Sequence, residues 1–240
     1  MPPQIIKLIK REDVAEGTMS FYFEKPEGFQ FKPGQYLDCT LTNPPETDAE
    51  GNIRSFSLAA APAEPHIMIA TRMRDTAFKR VLKTMPIGSP LSVDGPMGSF
   101  TLHNNPARTA ILIAGGIGIT PFRSMIVNAT RTKLATRIVL FYSNRRPEDA
   151  AFLDELQKLQ TENKNFQLIG VMTEMQKSKR AWNGETTLID KALLARHIPD
   201  LHGPIYYVAG PPAMVNEMKT TLSNAGINED DIRAEDFAGY

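Results

Sequence analysis

The apolar positions follow one period in the first half of the chain and another in the second half. From about residue 21 to 102 they mostly alternate with polar positions, in short runs broken by proline and glycine. This alternation is typical of antiparallel strands with one buried face, and the short runs favour a small barrel or sandwich. The predicted strands of this half cover residues 34–41, 54–58, 66–73 and 91–94.

A helical segment interrupts the alternation after residue 75. Phe78, Leu82 and Met85 lie three or four positions apart and form one apolar face. Either Asp75 or Thr76 is suited to cap the start of this helix, because each offers a side-chain oxygen to the first backbone N–H groups. We therefore expect one helix within the strand-rich half.

After residue 108 the apolar runs become continuous and alternate with amphipathic helical segments. Such strands are buried on both faces, as in a parallel sheet that helices cover on both sides. The predicted strands are 110–114, 138–142, 166–172, 205–209 and 231–237, and the helical segments are 122–130, 149–160, 188–196 and 213–225. The sequence thus predicts a β-barrel domain at residues 1–104 and a doubly wound α/β domain with a five-stranded parallel sheet at 105–240.

Composition and charge narrow the possible partners. Lys and Arg together number 27, as do Asp and Glu, so the formal charge of zero argues against nucleic acid or an anionic membrane. One cysteine, Cys39, is too few for a disulfide, an iron–sulfur cluster or structural zinc, and the four histidines lack ligand spacing. No cleavage-like site follows the N-terminus and no run approaches a membrane span. We expect a cytoplasmic protein without metal whose partners are small molecules and proteins.

A glycine-rich turn follows the first parallel strand, with the sequence Ala114-Gly-Gly-Ile-Gly-Ile-Thr-Pro-Phe122. Glycines let backbone N–H groups approach an anion, and the following helix N-terminus adds positive partial charge. The expected ligand of this turn is a pyrophosphate, and the alternative is a tight turn that binds no ligand. The spacing differs from G-x-G-x-x-G, which argues against a simple alcohol-type dehydrogenase.

Two further motifs make the pattern specific: Arg54-Ser-Phe-Ser57 on a barrel strand and Gly95-Pro-Met-Gly-Ser-Phe100 at the end of the barrel. Together with the glycine turn, the sequence resembles the ferredoxin–NADP reductase family of flavoproteins over essentially the whole chain. The resemblance implies that Arg54 pairs with the FAD pyrophosphate, that Phe56 packs on the flavin and that Ser57 bonds near N5. Ser55 belongs to the same motif.

The resemblance also implies a second set of cofactor contacts. Those to the FAD phosphates would come from Thr71, Arg72, Thr76 and Ala77, and those to the nicotinamide nucleotide from Gly116, Gly118, Thr120, Thr173, Gly210 and Pro211. The alternative for Arg72 is an ordinary surface charge, and the alternative for Thr76 is a plain helix cap. The alternative for Thr173 is a purely structural role at the end of a strand. Ala209 departs from the family pattern, since many relatives have cysteine there.

The choice between NADPH and NADH depends on the residues after the second parallel strand. Ser143, Arg145 and Arg146 lie where such folds reach the adenosine ribose, and the arginines favour the phosphate of NADPH. The alternative is a solvated helix start in which the acids at 148 and 149 balance the arginines.

The C-terminal residues are predicted to cover the flavin. In the family an aromatic ring near the end lies on the flavin face, and a nearby carboxylate handles the flavin proton. Glu235 or Asp236 would be that carboxylate, and Phe237 or Tyr240 would be the ring. The alternative is that both rings only anchor the last strand.

The resemblance therefore implies hydride transfer from NADPH or NADH to FAD. Single electrons would then pass to a separate carrier such as ferredoxin, flavodoxin or an oxygenase component, because the chain lacks the cysteines for a cluster of its own. Two alternatives are a diaphorase or free-flavin reductase and an electron-transfer subunit of a larger complex. The acceptor, the direction of electron flow and the oligomeric state stay open at this point.

Overall fold

The computed structural model describes residues 3–237, which form two β-sheets joined by the connection at 98–109. The first sheet is antiparallel, with strand order β4-β3-β6-β1-β2-β5. An N–H···O bond of 2.8 Å from Ala59 to the carbonyl of Met68 joins its two edges, so the sheet curls into a barrel. Its strands are β1 (Gln4–Ala15), β2 (Thr18–Glu24), β3 (Tyr36–Thr40), β4 (Ile53–Ser57), β5 (His66–Arg72) and β6 (Pro90–Met97).

Strands β1 and β2 have no counterpart among the strands predicted from the sequence, and the reason is clearest for β1. Ile6 and Leu8 are buried, but Ile5 and Ile9 on the opposite face are 59% and 44% exposed. Apolar residues on both faces, separated by lysines, hide the alternation that would indicate a strand. The strand exists because β2 and β6 pair with it on its two sides.

The predicted barrel-domain helix is confirmed as α1 (Ala77–Thr84). Thr76 is the residue that caps it, since its hydroxyl accepts a 3.4 Å hydrogen bond from the Lys79 N–H. Phe78 and Leu82 are buried against the barrel core. This packing fixes the first turn of α1 beside the ends of β4 and β5.

The second sheet is parallel, with strand order β11-β10-β7-β8-β9, which confirms the predicted doubly wound α/β arrangement. Its strands are β7 (Ala110–Gly115), β8 (Ile138–Asn144), β9 (Phe166–Met172), β10 (Ile205–Gly210) and β11 (Ile232–Asp236). The helices are α2 (Ile119–Arg131), α3 (Leu153–Glu162), α4 (Lys191–His197) and α5 (Pro212–Asn224). Separate apolar cores cover its two faces. The domain boundary predicted at 104/105 falls within the connection and stays a prediction.

Helix α2 joins the two domains through a buried ion network. Arg123 is 6% exposed and donates to both carboxylate oxygens of Glu64, at 3.0 and 3.2 Å, and to the Ala59 carbonyl at 2.7 Å. It also donates to Glu155 of α3 at 2.6 and 2.7 Å. Burial alone would lower the pKa of Arg123, but these carboxylates outweigh it and raise the pKa. The network sets how the two domains meet.

Of the helices in residues 3–237, none is both long and apolar enough to cross a bilayer.

Candidate functional site

A cleft of about 770 Å³ lies where the two domains meet, within the roughly 300–1,000 Å³ of small-molecule sites. The barrel contributes β4, the end of β5 and the start of α1, and the α/β domain contributes the start of α2 and the end of β11. The predicted site residues that line it are Arg54, Ser55, Phe56, Ser57, Thr71, Arg72, Thr76, Thr120, Asp236 and Phe237. Tertiary folding thus brings together side chains from four separate parts of the chain.

Strand β4 forms one wall of the cleft. Ser57 is 6% exposed, so its hydroxyl faces the cleft with little access to bulk water. The Phe56 ring packs against Phe78 of α1, with ring centroids 5.8 Å apart. Ser55 donates a 2.5 Å hydrogen bond to Asp38 on the neighbouring strand β3. This wall therefore offers a flat apolar ring beside a sheltered hydroxyl.

The end of the cleft nearest Arg54 carries the donors that suit a phosphate, and carboxylates already contact them. Arg54 Nη2 lies 2.7 Å from Glu50 Oε2 and 3.5 Å from Asp48 Oδ1. The backbone N–H of Ala77, in the first turn of α1, donates to Asp48 Oδ2 at 2.8 Å. The sequence predicted Arg54 and Ala77 as phosphate contacts, which stays a prediction, and it did not predict these carboxylate partners from the loop before β4.

The strand-end residues of the barrel domain form the neighbouring part of the wall. Thr71 is 5% exposed and Arg72 is half-buried, and both line the cleft. The Lys79 ammonium donates to the Arg72 carbonyl at 2.9 Å, and burial lowers the pKa of Lys79. Cationic side chains thus lie on both sides of the α1 start.

The glycine turn is a short 3₁₀ segment, Gly116–Gly118, between β7 and α2. A Cβ on Gly118 would lie 2.2 Å from the Ala209 carbonyl oxygen, so only glycine lets this turn approach β10. A Cβ on Gly210 would lie 3.1 Å from the backbone of Gly115. The close approach seen here is therefore between two backbone segments, and the predicted nucleotide contacts of Gly116 and Gly118 stay predictions.

Thr120 and Pro211 begin the two helices that follow these turns. Thr120 is 4% exposed, lines the cleft and donates its hydroxyl to the Ile117 carbonyl at 3.1 Å. Pro211 caps the start of α5. The N-termini of α2 and α5 thus lie at the carboxyl edge of the parallel sheet, where ligands of such folds bind.

Ser143, Arg145, Arg146 and Thr173 lie outside the cleft, at the carboxyl ends of β8 and β9. Arg146 donates to both oxygens of Asp149, at 2.7 and 2.9 Å, and lies 2.8 Å from Glu16 of the barrel. Arg145 has a side chain that is 70% exposed and lies 3.7 Å from Glu174. Arg146 therefore links the two domains, and Arg145 is the arginine that is more accessible to a ligand. Thr173 donates its N–H to the Asn144 carbonyl at 3.0 Å.

At the C-terminal end of β11, Phe237 lines the cleft and donates its N–H to the Gly210 carbonyl at 3.0 Å. Asp236 also lines the cleft. Glu235, predicted as a catalytic carboxylate, is not among the residues that line the cleft, and its buried oxygen Oε2 has no hydrogen-bond partner within residues 3–237. Burial, and then the charge of Asp236, raise the pKa of Glu235 to about 7. Tyr240 lies outside the described residues.

We expect Glu235→Gln to increase stability at high pH only. The folded chain keeps the Glu235 proton where the unfolded chain has released it, so stability falls as the pH rises from 4.5 to about 7. Because water partly screens this carboxyl, the free energy of unfolding should rise by about 1–2 kcal/mol at about pH 8 and be unchanged at about pH 4. Urea denaturation at both pH values measures it.

The control for this prediction is Glu217→Gln, which removes an exposed carboxylate from α5. It should leave the pH dependence of stability unaltered. An equal effect of Glu235→Gln at both pH values would contradict the assignment of the raised pKa to Glu235.

Several residues that line the cleft were missed by sequence reasoning. Asp38 is adjacent to Ser55 only because β3 and β4 pair in this register. Ile117 lies within the glycine turn itself, so the motif contained a signal for it. The others are Glu50, Ile53, Ala70, Arg74 and Lys79, and they carry no such signal.

Comparison with known proteins shows that the second domain is similar to NAD-binding domains of oxidoreductases. Residues 112–220 match the family model described as the oxidoreductase NAD-binding domain. The glycine betaine monooxygenase reductase subunit of Chromohalobacter salexigens is 28% identical over 223 residues, which cover 92% of this chain and 60% of that protein. The xylene/toluene monooxygenase electron transfer component of Pseudomonas putida is 30% identical over 238 residues, covering 95% and 63%. The chain thus spans about 60% of the length of such curated relatives.

Solved structures show the same two-domain fold. The FAD/NAD-binding domain of a nitric oxide dioxygenase from Vibrio cholerae superposes with a TM-score of 0.83 at 18% identity, covering 98% of both chains. A ferredoxin–NADP+ reductase from Neisseria gonorrhoeae, solved with FAD and NADP, gives a TM-score of 0.79 at 20% identity and covers 98% of this chain and 99% of that one.

Proposed function

We propose that this chain is an NAD(P)H-dependent flavoprotein reductase of the ferredoxin reductase-like family of FAD/NAD-binding proteins. It binds FAD in the interdomain cleft, accepts a hydride from NADH or NADPH and passes electrons to a separate protein. The observation that carries the proposal is the convergence of β4, the α1 N-terminus, the α2 N-terminus and the end of β11 on one cleft.

The residues present in the cleft fit FAD. Phe56 gives a flat apolar surface for the ring system, and Ser57 gives a sheltered hydroxyl that can donate or accept. Arg54 and the Ala77 N–H give a cationic fork and a helix N-terminus for the pyrophosphate. Asp236 at the end of β11 adds a carboxylate to the cleft lining, and the adjacent Glu235 has a buried oxygen that is unpartnered among the described residues. One feature conflicts with this fit, which is the presence of Asp48 beside the phosphate donors.

When bound, FAD supplies the switch between a two-electron donor and one-electron acceptors. Phe56 and Ser57 orient the ring system from the β4 side. Phe237, which lines the cleft at the end of β11, would exclude water from the ring system and would have to move for nicotinamide to enter. Glu235, whose pKa is raised to about 7, would hold a proton near neutral pH next to Asp236 of the cleft lining. The path by which the nucleotide would enter is shaped by the two turns before α2 and α5, with Gly116, Gly118, Thr120, Gly210 and Pro211.

We infer that the electron acceptor is an oxygenase component or its ferredoxin. Support comes from relatives named as reductase components of glycine betaine and propane monooxygenases and of terephthalate dioxygenase. A diaphorase or free-flavin reductase is the second candidate. Steady-state assays with small dyes, free flavin and a ferredoxin separate these functions. A reductase for an oxygenase component or ferredoxin requires a protein acceptor for rapid turnover, whereas a diaphorase or free-flavin reductase does not.

The direct test of the proposed function is the visible spectrum of the purified protein, followed by anaerobic titration with NADH and NADPH. We expect a yellow protein with one FAD that either nucleotide bleaches stoichiometrically. A folded protein that takes up no FAD, or whose FAD neither nucleotide reduces, would contradict the proposal.

Nucleotide choice gives a separate prediction. Arg145→Ala should raise the KM for NADPH about tenfold more than the KM for NADH, because one charge-assisted phosphate contact is lost. Arg146→Ala is the matched control, since Arg146 is already paired with Asp149 and Glu16. It should lower stability and leave the ratio of the two KM values unchanged. Equal changes in both KM values for Arg145→Ala would remove this arginine from the phosphate site.

A further inference from the structure

The loop before β4 folds back onto the phosphate end of the cleft. A tight turn shapes its tip, where the Gly51 N–H donates to the Asp48 carbonyl at 3.0 Å. Gly51 has φ +74°, a conformation that favours glycine. The Glu50 N–H donates to Asp48 Oδ1, also at 3.0 Å. The Asp48 carboxylate is therefore held in a defined direction.

That direction is toward the groups that the proposed function assigns to the FAD pyrophosphate. Asp48 Oδ2 accepts from the Ala77 N–H at 2.8 Å, and Oδ1 lies 3.5 Å from Arg54 Nη2. The Ala77 hydrogen bond is the main reason that the pKa of Asp48 is lowered, so Asp48 is ionised at neutral pH. A carboxylate here uses the same backbone donor and the same guanidinium that a phosphate would use.

A second contact holds the loop in place. Glu46, two residues before Asp48, receives hydrogen bonds from Arg80 of α1, with Nε to Oε1 at 3.0 Å. The loop is therefore attached to α1 at two points, one at its first turn and one on its exposed face. Opening the loop would release the Ala77 N–H and the Arg54 guanidinium from Asp48 and would break the 2.8 Å bond from Arg54 Nη1 to the Glu50 carbonyl. The exposed Glu46–Arg80 pair adds little to this cost.

We propose that Asp48 determines how tightly the cleft binds phosphate-bearing flavins, by acting as an internal competitor for the pyrophosphate donors. The inference rests on the proposed function. In the free protein the loop keeps Arg54 and the α1 N-terminus neutralised. FAD binding transfers both donors from Asp48 to the pyrophosphate and displaces the loop tip. Riboflavin, which has no phosphate, does not compete with Asp48.

The test is titration of flavin-free protein with FAD and with riboflavin, followed by flavin fluorescence. Asp48→Asn removes the charge but keeps an oxygen that can accept from the Ala77 N–H. We expect its Kd for FAD to fall about ten- to hundredfold, since charged contacts to Arg54 and the helix N-terminus no longer compete. Its Kd for riboflavin should not change. Asp75→Asn is the matched control, because Asp75 is an exposed carboxylate on Arg80 outside the cleft lining.

Amide hydrogen exchange tests the displacement of the loop by a measurement other than the Kd for flavin. FAD binding to the parent protein should speed exchange at the Glu50 and Gly51 amides, whose bonds to Asp48 hold the turn. Glu50→Gln is a second variant, and a smaller gain in FAD affinity is expected because Glu50 contacts Arg54 but not α1.

The outcomes are distinct. An Asp48→Asn protein that binds FAD no more tightly than the parent, or that gains equally for riboflavin, would overturn the competitor role while leaving the reductase intact. A folded parent and variant that both bind riboflavin but not FAD would overturn the proposed FAD site and this inference with it.

Discussion

Replacing Arg123 with methionine is expected to lower the free energy of unfolding by about 3–5 kcal/mol, because a buried carboxylate then loses its close cationic partner. Glu64 is 7% exposed, and Arg123 is its close cationic partner. Burial alone would raise the pKa of Glu64, and the hydrogen bond and charge of Arg123 hold it below the usual value. Without Arg123, Glu64 loses its two guanidinium hydrogen bonds and, among the described residues, keeps only the Ala61 N–H at 2.6 Å and the more distant Arg131 at 3.8 Å. Urea denaturation measures the loss.

Two further variants test the cause. The double change Arg123→Met with Glu64→Gln removes both charges and should recover most of the lost stability. Glu155→Gln should cost much less, since the Glu155 side chain is 36% exposed and water can replace its contact with Arg123. A loss for Arg123→Met below about 1 kcal/mol, the range of a surface ion pair, would contradict the prediction.

The same variant reports on domain docking. Arg123 bonds directly to the Ala59 carbonyl and to Glu64 in the barrel domain, and to Glu155 in the α/β domain. If this network holds the domains together, its loss should split the single unfolding transition into two. A single transition shifted to lower urea would mean that other contacts suffice for docking.

Replacing Arg54 with alanine is expected to weaken FAD binding about 10- to 150-fold, the range of one charge-assisted contact. Only 19% of the Arg54 side chain is exposed, so the guanidinium is confined to the end of the cleft that we propose for the pyrophosphate. Its loss leaves the α1 N-terminus as the main donor to the pyrophosphate. Titration of the flavin-free variant with FAD, followed by loss of flavin fluorescence, measures the change.

Lys83→Ala is the control for Arg54→Ala, because it removes a positive charge from the last turn of α1, away from the cleft lining. It should leave the FAD Kd unchanged, which separates a local contact from a general effect of net charge. An Arg54→Ala protein that holds FAD as tightly as the parent does would place the pyrophosphate elsewhere.

The sequence by itself determined the two kinds of sheet and most of the element positions. Continuous apolar runs predicted β7 to β10 to within about two residues, because a parallel strand buried on both faces needs no partner information to be recognised. The last stretch, counted as a fifth strand, gave β11 to within one residue at each end. The Thr76 cap and the glycine turn before α2 are equally local signals. The family resemblance also predicted that β4 and the end of β11 belong to one site, and both segments line the same cleft.

The tertiary structure decided which charges meet. Arg146 pairs with Glu16 and Arg123 with Glu64, and Arg54 pairs with a loop whose path the sequence does not reveal. Strand β1 likewise depends on its two neighbours, since its outer face is apolar. Local patterns follow from backbone geometry and from burial of one face, which each segment carries within itself. An ion pair depends on which distant segments the fold brings together and how much water it excludes, so only the folded chain shows that the predicted phosphate donors are held by Asp48 and Glu50.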